Sequence, residues 1–479
     1  MGVYRDGRNP VLAQLNWTRL ALGQLLVLLL ALAAGRTLAG EPGPPLSSDG
    51  MPQRLVLALD GIPYDTFADL QRQGHFAEFK PAAKMVSTFP SLSDVAFAAI
   101  GGAEPPEGYQ VMRFDPARNK VVGNTMGSLG SRAHSRAWVD SPNHSSLHRM
   151  VGYMAAYSMA LRDLRQIGQD FLLSDRQTYV AMLGQSDPVL HIDGRVGAEK
   201  LLLEVDAFLQ DLQAQVRART GRELLVDIVS DHGSTMVKGK IIPLDEQLRS
   251  CGFQRRDRIE DNHDVAYSLA GIIGSVAITT SPESTEEAAR CLAGAEGVDL
   301  VAIDRGDAVG VLTADSEAQI RPAGSGSEAY EYRMLRGDPL QLAVPVNVGG
   351  VAIFDQASAF AESIDAPRPA PLRRLWRAFH GEVKQPSPIL VSLADGYEAA
   401  NPELRALASL RGRFGTHGSM TRLASLGVLV SNWREVGNVN VQGANESLFG
   451  ATTLGAMQQV LGDRAAATAP PELKGRSSP

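Results

Sequence analysis

Three short runs of apolar residues punctuate the first half of the chain: Arg54 to Leu59 (RLVLAL), Thr178 to Leu183 (TYVAML) and Glu223 to Val229 (ELLVDIV). Each is continuous rather than alternating, and each stops at a turn signal, Asp60-Gly61, Gly184 and Ser230 respectively. Strands buried on both faces have this pattern. Between them lie stretches with apolar residues at helical spacing: Ser93 to Ile100, Leu147 to Asp170 and Gly197 to Arg219. Alternating strands and helices predict an α/β fold with a mostly parallel central sheet sandwiched by helices. In such sheets ligands bind beyond the carboxyl ends of the strands, which is where Asp60, Asp187 and Asp231 fall.

The rhythm breaks after Gly274. Ser275 to Thr280, Ser284 to Ala293, Val298 to Asp304 and Ala308 to Ala314 read as strand, helix, strand, strand; a Gly/Ser turn at Gly324 to Ser327 and a strand around Tyr330 to Leu335 follow. Gly274 to about Gln341 is therefore read as a small inserted α+β unit. The segment from Gln341 to Gln385, rich in Pro, Arg and aromatic residues, returns the chain to a core that resumes at Ile389 to Leu393. The expected division is a core over 53–273 and 386–460, an insert with its return segment over 274–385, and a disordered tail over 461–479. No tandem repeat is evident.

Composition bounds what surrounds such a sheet. With 479 residues, 44% hydrophobic and 21% charged, the chain can bury a large core, as one big α/β domain or as a core with a smaller unit. A net charge of -7 and a pI near 5.8 argue against a nucleic-acid polymer as partner, because that affinity is carried by clustered Lys and Arg.

At the N-terminus, Arg5, Arg8 and Arg19 precede an apolar run from Leu20 to Ala34, then Thr37-Leu38-Ala39 and a Gly/Pro/Ser-rich stretch from Gly40 to Gly50. A basic region, an apolar stretch of roughly 7 to 15 residues and a small-residue site compose a secretory signal, whereas a spanning helix needs roughly 20 apolar residues. Residues 1–39 are read as a signal peptide and 40–52 as a flexible linker, predicting export to a periplasm or the exterior. An uncleaved N-terminal anchor is the alternative, and only then is a membrane a partner. The two cysteines, Cys251 and Cys291, would either pair in an oxidising compartment or remain two buried thiols.

Seven residues carry the candidate chemistry: Asp60, Ser93, Asp187, His191, Asp231, His232 and His417. Singly they are weak signals. Asp60 before Gly61 reads as a turn or cap aspartate, Asp187 and His191 are separated by Pro188-Val189-Leu190, and His417 is a loop histidine between small residues. Asp231-His232-Gly233 is stronger, since two adjacent ligating groups at a strand end can share one metal while the glycine lets the backbone turn. As a set, three carboxylates, three imidazoles and one hydroxyl can hold two divalent metals around a nucleophile.

Their order resembles that of the alkaline phosphatase superfamily, in particular its type I phosphodiesterase/nucleotide pyrophosphatase branch. That branch opens with a strand ending in Asp-Gly, matched by Leu59-Asp60-Gly61, and places its nucleophile in F-P-T-x-T, matched by Phe89-Pro90-Ser91-Leu92-Ser93. D-x-x-x-H, S-D-H-G and G-x-H-G follow, matched by Asp187 to His191, Ser230 to Gly233 and Gly415 to Gly418. Phe114-Asp115-Pro116 is similar to its Y-D-P, and Ser392 to Tyr397 to its S-L-x-D-G-Y. The likeness spans roughly Leu55 to Val430.

The resemblance implies one metal on Asp60, Asp231, His232 and the Ser93 oxygen, and a second on Asp187, His191 and His417. Mixed imidazole and carboxylate ligands suit zinc, with manganese the main rival. Two cations about 4 Å apart stabilise the entering and leaving oxygens of an in-line displacement at phosphorus. It further implies hydrolysis of phosphate esters through a phospho-serine at Ser93, on a small phosphate ester or a lipid head group. The helix after Ser93 would aim backbone N–H groups at the phosphate, and Ser93 could serve simultaneously as that helix's N-cap. A phosphotransferase, a phosphonate hydrolase or a catalytically idle metal-binding envelope protein are the alternative readings.

The chain departs from the branch pattern at two places. Ser93 stands where threonine is commoner, and the asparagine expected shortly before Y-D-P is missing: Tyr109, Gln110, Val111, Met112 and Arg113 fill that stretch. Gln110, Arg113, Asn119 or Asn124 are the substitutes. No C-x-P-x-R or S-x-P-x-R segment points to the sulfatase branch. The stretch with His134, His144, His148, Arg132, Arg136 and Arg149 reads as a solvated loop entering a helix, His263 as a loop histidine, and the Met and Tyr residues from Met150 to Met159 as core.

Overall fold

The structure, a computed structural model, describes residues 53–124, 138–141, 146–324, 329–342, 350–400 and 415–450, without the side chains of 146–154. Expectations for 1–52, for the tail and for His134, His144, Arg132 and Arg136 lie outside these residues, as do the side chains of His148, Arg149, Met150, Tyr153 and Met154.

Among the described residues the first sheet has six strands. In chain order they are β1 (Arg54–Leu59), β2 (Ala83–Val86), β3 (Thr178–Leu183), β4 (Leu225–Ser230), β5 (Leu426–Ser431) and β6 (Val439–Asn440). Their spatial order is β6-β2-β5-β4-β1-β3. β1 runs parallel to β3 and β4, β2 parallel to β6, and only β5 runs against its neighbours. The mostly parallel sheet is therefore as the apolar runs predict.

Alternate side chains of β1 face opposite layers. Leu55, Leu57 and Leu59 pack toward helices α1 (Tyr64–Arg72), α3 (Ser146–Leu173) and α4 (Ser186–Thr220) through Phe67, Ile167, Phe171 and Leu201. Val56 and Ala58 face α2 (Ser93–Ile100) and α8 (Val441–Phe449) through Phe97, Ile100 and Leu448. All five are fully buried, a gross gain of about 9 kcal/mol at roughly 2 kcal/mol for each Leu or Val and about 0.8 kcal/mol for the Ala58 methyl. That double burial is why the run is continuous rather than alternating.

The second sheet departs from expectation. It has nine strands, almost all antiparallel, and its centre includes Ile389–Leu393, flanked by Ser275–Thr280 and Val298–Asp304. The strand at which the chain is expected to return to the core lies within this second sheet. The second sheet also takes in Gln254–Arg255 and Asp264–Tyr267, before Gly274, so it is neither small nor confined to the expected insert. A continuous apolar run shows burial on both faces without naming the sheet that buries it.

The return segment is structured too. It forms a strand at Val351–Asp355 and helices α6 (Gln356–Ser363) and α7 (Pro371–Phe379), α5 being Thr285–Ala293. Pro371 opens α7, a position that needs no N–H, and Leu372, Leu375, Ala378 and Phe379 form its buried face. Three arginines in one short helix hide that face from a reading by composition.

Cys251 and Cys291 form a disulfide, closing the choice left open above. The bridge spans 40 residues, and a loop of that size confers about 4 kcal/mol in the chain-entropy account. Replacing both cysteines with serine is expected to lower the guanidinium midpoint of unfolding, with loss of the difference between oxidised and reduced wild type; an unchanged midpoint refutes the contribution.

Candidate metal and nucleophile site

Register brings the first three ligand groups together. Leu59 of β1 is paired with Leu183 of β3 and with Ser230 of β4, so Asp60, Gly184 and Asp231 leave the sheet at one level. Asp187 and His191 lie four residues apart in the first turns of α4, on one helical face. Gly194, at φ +58, breaks that helix just afterward, which separates the ligand-bearing turns from the long helix expected from Gly197.

Two glycines are required by close approach. A Cβ on Gly61, already at φ +76, would lie 3.1 Å from Asp187 Oδ1 and 3.2 Å from His232 Cε1. On Gly233 it would lie 2.2 Å from the Leu423 carbonyl oxygen. The glycines of Asp60-Gly61 and Asp231-His232-Gly233 thus let two ligand groups and a returning loop touch.

All seven predicted residues converge, and all are buried. Asp60, Asp231 and His232 form one trio able to hold a metal ion and Asp187, His191 and His417 another, each with its ligand atoms within 4.8 Å of one another. Ser93 Oγ donates to Asp60 Oδ1 at 2.9 Å and lies 3.2 Å from His232 Nε2. The His232 and His417 rings stack at 3.9 Å between centroids, and the Gly61 N–H donates to Asp231 Oδ1 at 2.9 Å. The trios are thereby joined face to face.

Each imidazole is oriented from behind. His191, His232 and His417 direct Nδ1 at the carbonyl oxygens of Gly415, Gly233 and Ser91, at 3.1, 2.8 and 2.9 Å. A carbonyl only accepts, so each Nδ1 carries the hydrogen and each Nε2 turns inward. This is the arrangement that fixes a metal-ligating histidine. His191 and His417 place Nε2 3.3 and 3.6 Å from Asp187 Oδ1, and His232 places its own 3.3 Å from Asp231 Oδ2.

The electrostatics call for a cation. Burial, together with the charges of Asp60 and Asp187, pushes Asp231 up to about 7, against the pull of His232 and the Gly61 N–H. Burial, with His232 and His191 nearby, pushes His417 down to about 3. Burial opposes the ionised form of Asp187 as well, yet the surrounding imidazoles hold it well below the usual carboxylate range, and Asp187 in turn raises His191. Asp231 Oδ2 is buried without a hydrogen-bond donor. Inward imidazole nitrogens and an orphaned carboxylate oxygen in a buried pocket are the donor set of a divalent metal site.

Ser93 is not an N-cap. The cap of α2 is Leu92, and Ser93 is the first helical residue, its hydroxyl turned to Asp60 instead of the backbone. Several supporting residues stand outside the seven. Ser91 Oγ accepts from the Gly418 N–H and donates to the Ser419 carbonyl, while the Ser91 N–H donates to the Gly418 carbonyl. Ser186 Oγ donates to the Asp60 carbonyl at 2.7 Å, and Ser392 Oγ accepts from the Met420 N–H. Two small polar residues inside motifs already singled out, Ser91 and Ser392, were the available signal.

The proposed stand-ins for the absent asparagine have other engagements. Arg113 pairs with Glu107 at 3.7 Å, and Asn119 bonds the backbone of Ile259 in both directions. Gln110 and Arg113 do line a small cleft with Pro90 and Leu92, and Asn124 lies exposed. His263 is an exposed loop residue.

No protein-family model matches the chain, and no curated protein matches it. Solved structures similar to it include murine ectonucleotide pyrophosphatase/phosphodiesterase 5, at 14% identity and TM-score 0.44 over 83% of this chain and 94% of that one. An inactive form of the murine protein in complex with AMP aligns at 14% and 0.44 over 86% and 95%. The human protein aligns at 12% and 0.43 over 86% and 100%. At these values the reading of the site rests on the strands and distances above.

Two outcomes follow. A cation must displace protons held by the raised groups Asp231 and His191, so zinc affinity of the metal-stripped protein is expected to fall by at least about tenfold per unit as pH drops below 7. Calorimetry at pH 6 and pH 8 in buffers of different ionisation enthalpy reads both affinity and proton release; pH-independent binding contradicts this. Ser91→Ala removes the two hydroxyl bonds that clip the His417 loop to the Ser93 loop. It is expected to weaken zinc binding by about tenfold, and affinity equal to wild type would deny Ser91 that role.

Proposed function

We propose that this protein is an exported hydrolase of phosphate esters, dependent on two divalent metal ions, that works through a covalent phospho-serine at Ser93. The observation that carries the reading is that Ser93 Oγ meets Asp60 and His232 of one buried ligand trio, whose His232 ring stacks on His417 of the other. Asp60, Asp231 and His232, with the Ser93 oxygen, would hold one ion, and Asp187, His191 and His417 the other. Zinc suits that donor set best. When bound, the pair would neutralise charge on phosphorus and lower the pKa of the attacking groups.

The chain's own residues supply position and proton handling. Ser93 Oγ directs its hydrogen at Asp60 Oδ1, so the oxygen's remaining lone pairs face the pocket. Attack forms the Oγ–P bond as the ester P–O bond breaks, the proton given up by Ser93 ending on the departing oxygen; water then forms a new P–O bond as the P–Oγ bond breaks, its proton returning to Oγ. The opening turn of α2 offers backbone N–H groups to the phosphate oxygens, and Val95, packed with Phe89 and Leu92 against the second sheet, keeps that turn in place.

The substrate class proposed is a small phosphate ester or lipid head group, with no nucleic-acid polymer. Export is supported by the basic, apolar and small-residue succession before Gly40 and by the Cys251–Cys291 disulfide, a bond of oxidising compartments. Among the described residues no helix is long and apolar enough to cross a membrane.

Ser93→Ala is expected to lower turnover of a chromogenic phosphate ester by at least about a thousandfold, while elemental analysis still finds two metal ions per chain. Chelation should abolish wild-type turnover and zinc restore it. Turnover that survives in Ser93→Ala removes the phospho-serine mechanism.

A further inference from the structure

Ser93 opens α2 at the end of a loop, Ser87 to Leu92, that is buried throughout. The loop is fastened at its start by the Ser87 N–H, which donates to the Ser425 carbonyl at 2.9 Å, and near its end by the bonds between Ser91 and the Gly418 and Ser419 backbone. Between these points the Thr88 hydroxyl donates to the Pro90 carbonyl at 2.8 Å, so Thr88 and Pro90 turn together. The Thr88 carbonyl is held from outside the loop. Arg374 of α7 donates to it through Nη2 at 2.8 Å and to the Pro369 carbonyl through Nη1 at 3.1 Å.

Arg374 is 4% exposed, and burial pushes its guanidinium down to about 9, with Glu382 opposing. Glu382 is itself paired with Arg377 at 2.8 Å, and Arg374 Nε is buried without an acceptor. A cation buried on such terms is costly. Contact alone does not require it, because Leu372, Leu375, Ala378 and Phe379 of α7 already share one core with Phe89, Leu92 and Val95. That packing has no direction. A charge-assisted hydrogen bond to a carbonyl fixes both distance and angle, and the planar guanidinium sets two carbonyls, one in each segment, at a fixed separation.

We propose that Arg374 is a positioning residue for attack by Ser93: by holding the Thr88 carbonyl it sets how the loop is turned, and with it the line along which Oγ meets phosphorus. It acts through the backbone from Thr88 to Ser93. The inference rests on the reading of Ser93 as the nucleophile. Small rotations matter there, since a misplacement of about 1 Å can cost about a hundredfold in rate.

Full-length, zinc-loaded Arg374→Met is the test. On a chromogenic phosphate ester kcat is expected to fall by at least about tenfold with KM within about twofold of wild type, while two metal ions stay bound and the unfolding midpoint shows a folded chain. A role in stability alone would lower the midpoint and leave the kcat of the folded protein unchanged. Hydrogen exchange, which needs no turnover, is expected to quicken in peptides spanning 87–96 and not in those of β1, β3 and β4. Arg374→Lys, whose ammonium reaches one carbonyl but not both, should lie between wild type and Arg374→Met in kcat and in loop exchange. A folded Arg374→Met protein with kcat within about twofold of wild type, a loss carried by KM, or a lysine variant no better than the methionine one overturns the inference. If Arg374→Met does not fold, wild-type values of both kcat and loop exchange in Arg374→Lys overturn it. Turnover that survives in Ser93→Ala removes instead the reading on which it rests, so the two failures are told apart.

Discussion

Six ionisable side chains buried around one hydroxyl set the terms for the rest of this molecule. Ionised carboxylates as deep as Asp60, Asp187 and Asp231 are tolerated only when hydrogen bonds and cations repay their lost hydration. Part of the repayment is local: the Gly61 N–H serves Asp231, and Ser93 serves Asp60. The remainder falls to three imidazoles, each held by a backbone carbonyl, and would fall to a divalent cation beside Asp231 Oδ2, which accepts no hydrogen bond.

Holding these groups requires both sheets. The first delivers Asp60 and Asp231 from the level ends of adjacent parallel strands and Asp187 from the opening turn of the helix that follows the third. The second backs the loop that leads into Ser93: Phe89, Leu92 and Val95 belong to a core that also contains Leu300, Ala302 and Leu390. Arg374, fully buried and pushed down to about 9 by that burial, grips the Thr88 carbonyl at 2.8 Å at the head of the same loop. His417 arrives on a loop fastened to Ser91 on one side and to Gly274 and Ser392 on the other. Ser93 and His417 therefore owe their places to contacts between sheets, whereas the aspartates owe theirs to one sheet's register.

The same division explains what could be read in advance. β1, β3 and β4 were legible because strands buried on both faces write continuous apolar runs that end at a turn. Each candidate ligand was legible as a residue type beside such an end. Ile389–Leu393 has the same kind of run and joined the other sheet, since apolarity records burial and not the identity of the neighbour. Helix α7 was hidden by its arginines, and the second sheet's extent by edge strands as short as Gln254–Arg255. The turns carrying Asp187 and His191 were hidden by Gly194, which interrupts the period that a helix search follows.

By itself, then, the sequence determined an α/β chain, the strands that carry its aspartates and a donor set suited to divalent metals, because burial, turn propensity and ligand chemistry are properties of residues and their near neighbours. Tertiary structure alone decided that seven positions spread over more than three hundred residues meet in one pocket. It also paired Cys251 with Cys291, turned Ser93 to Asp60 instead of capping its helix, and set the Arg374 guanidinium on the Thr88 carbonyl. These outcomes depend on distances between segments remote in sequence, which strand register and the packing of one sheet against the other set only once the chain has folded.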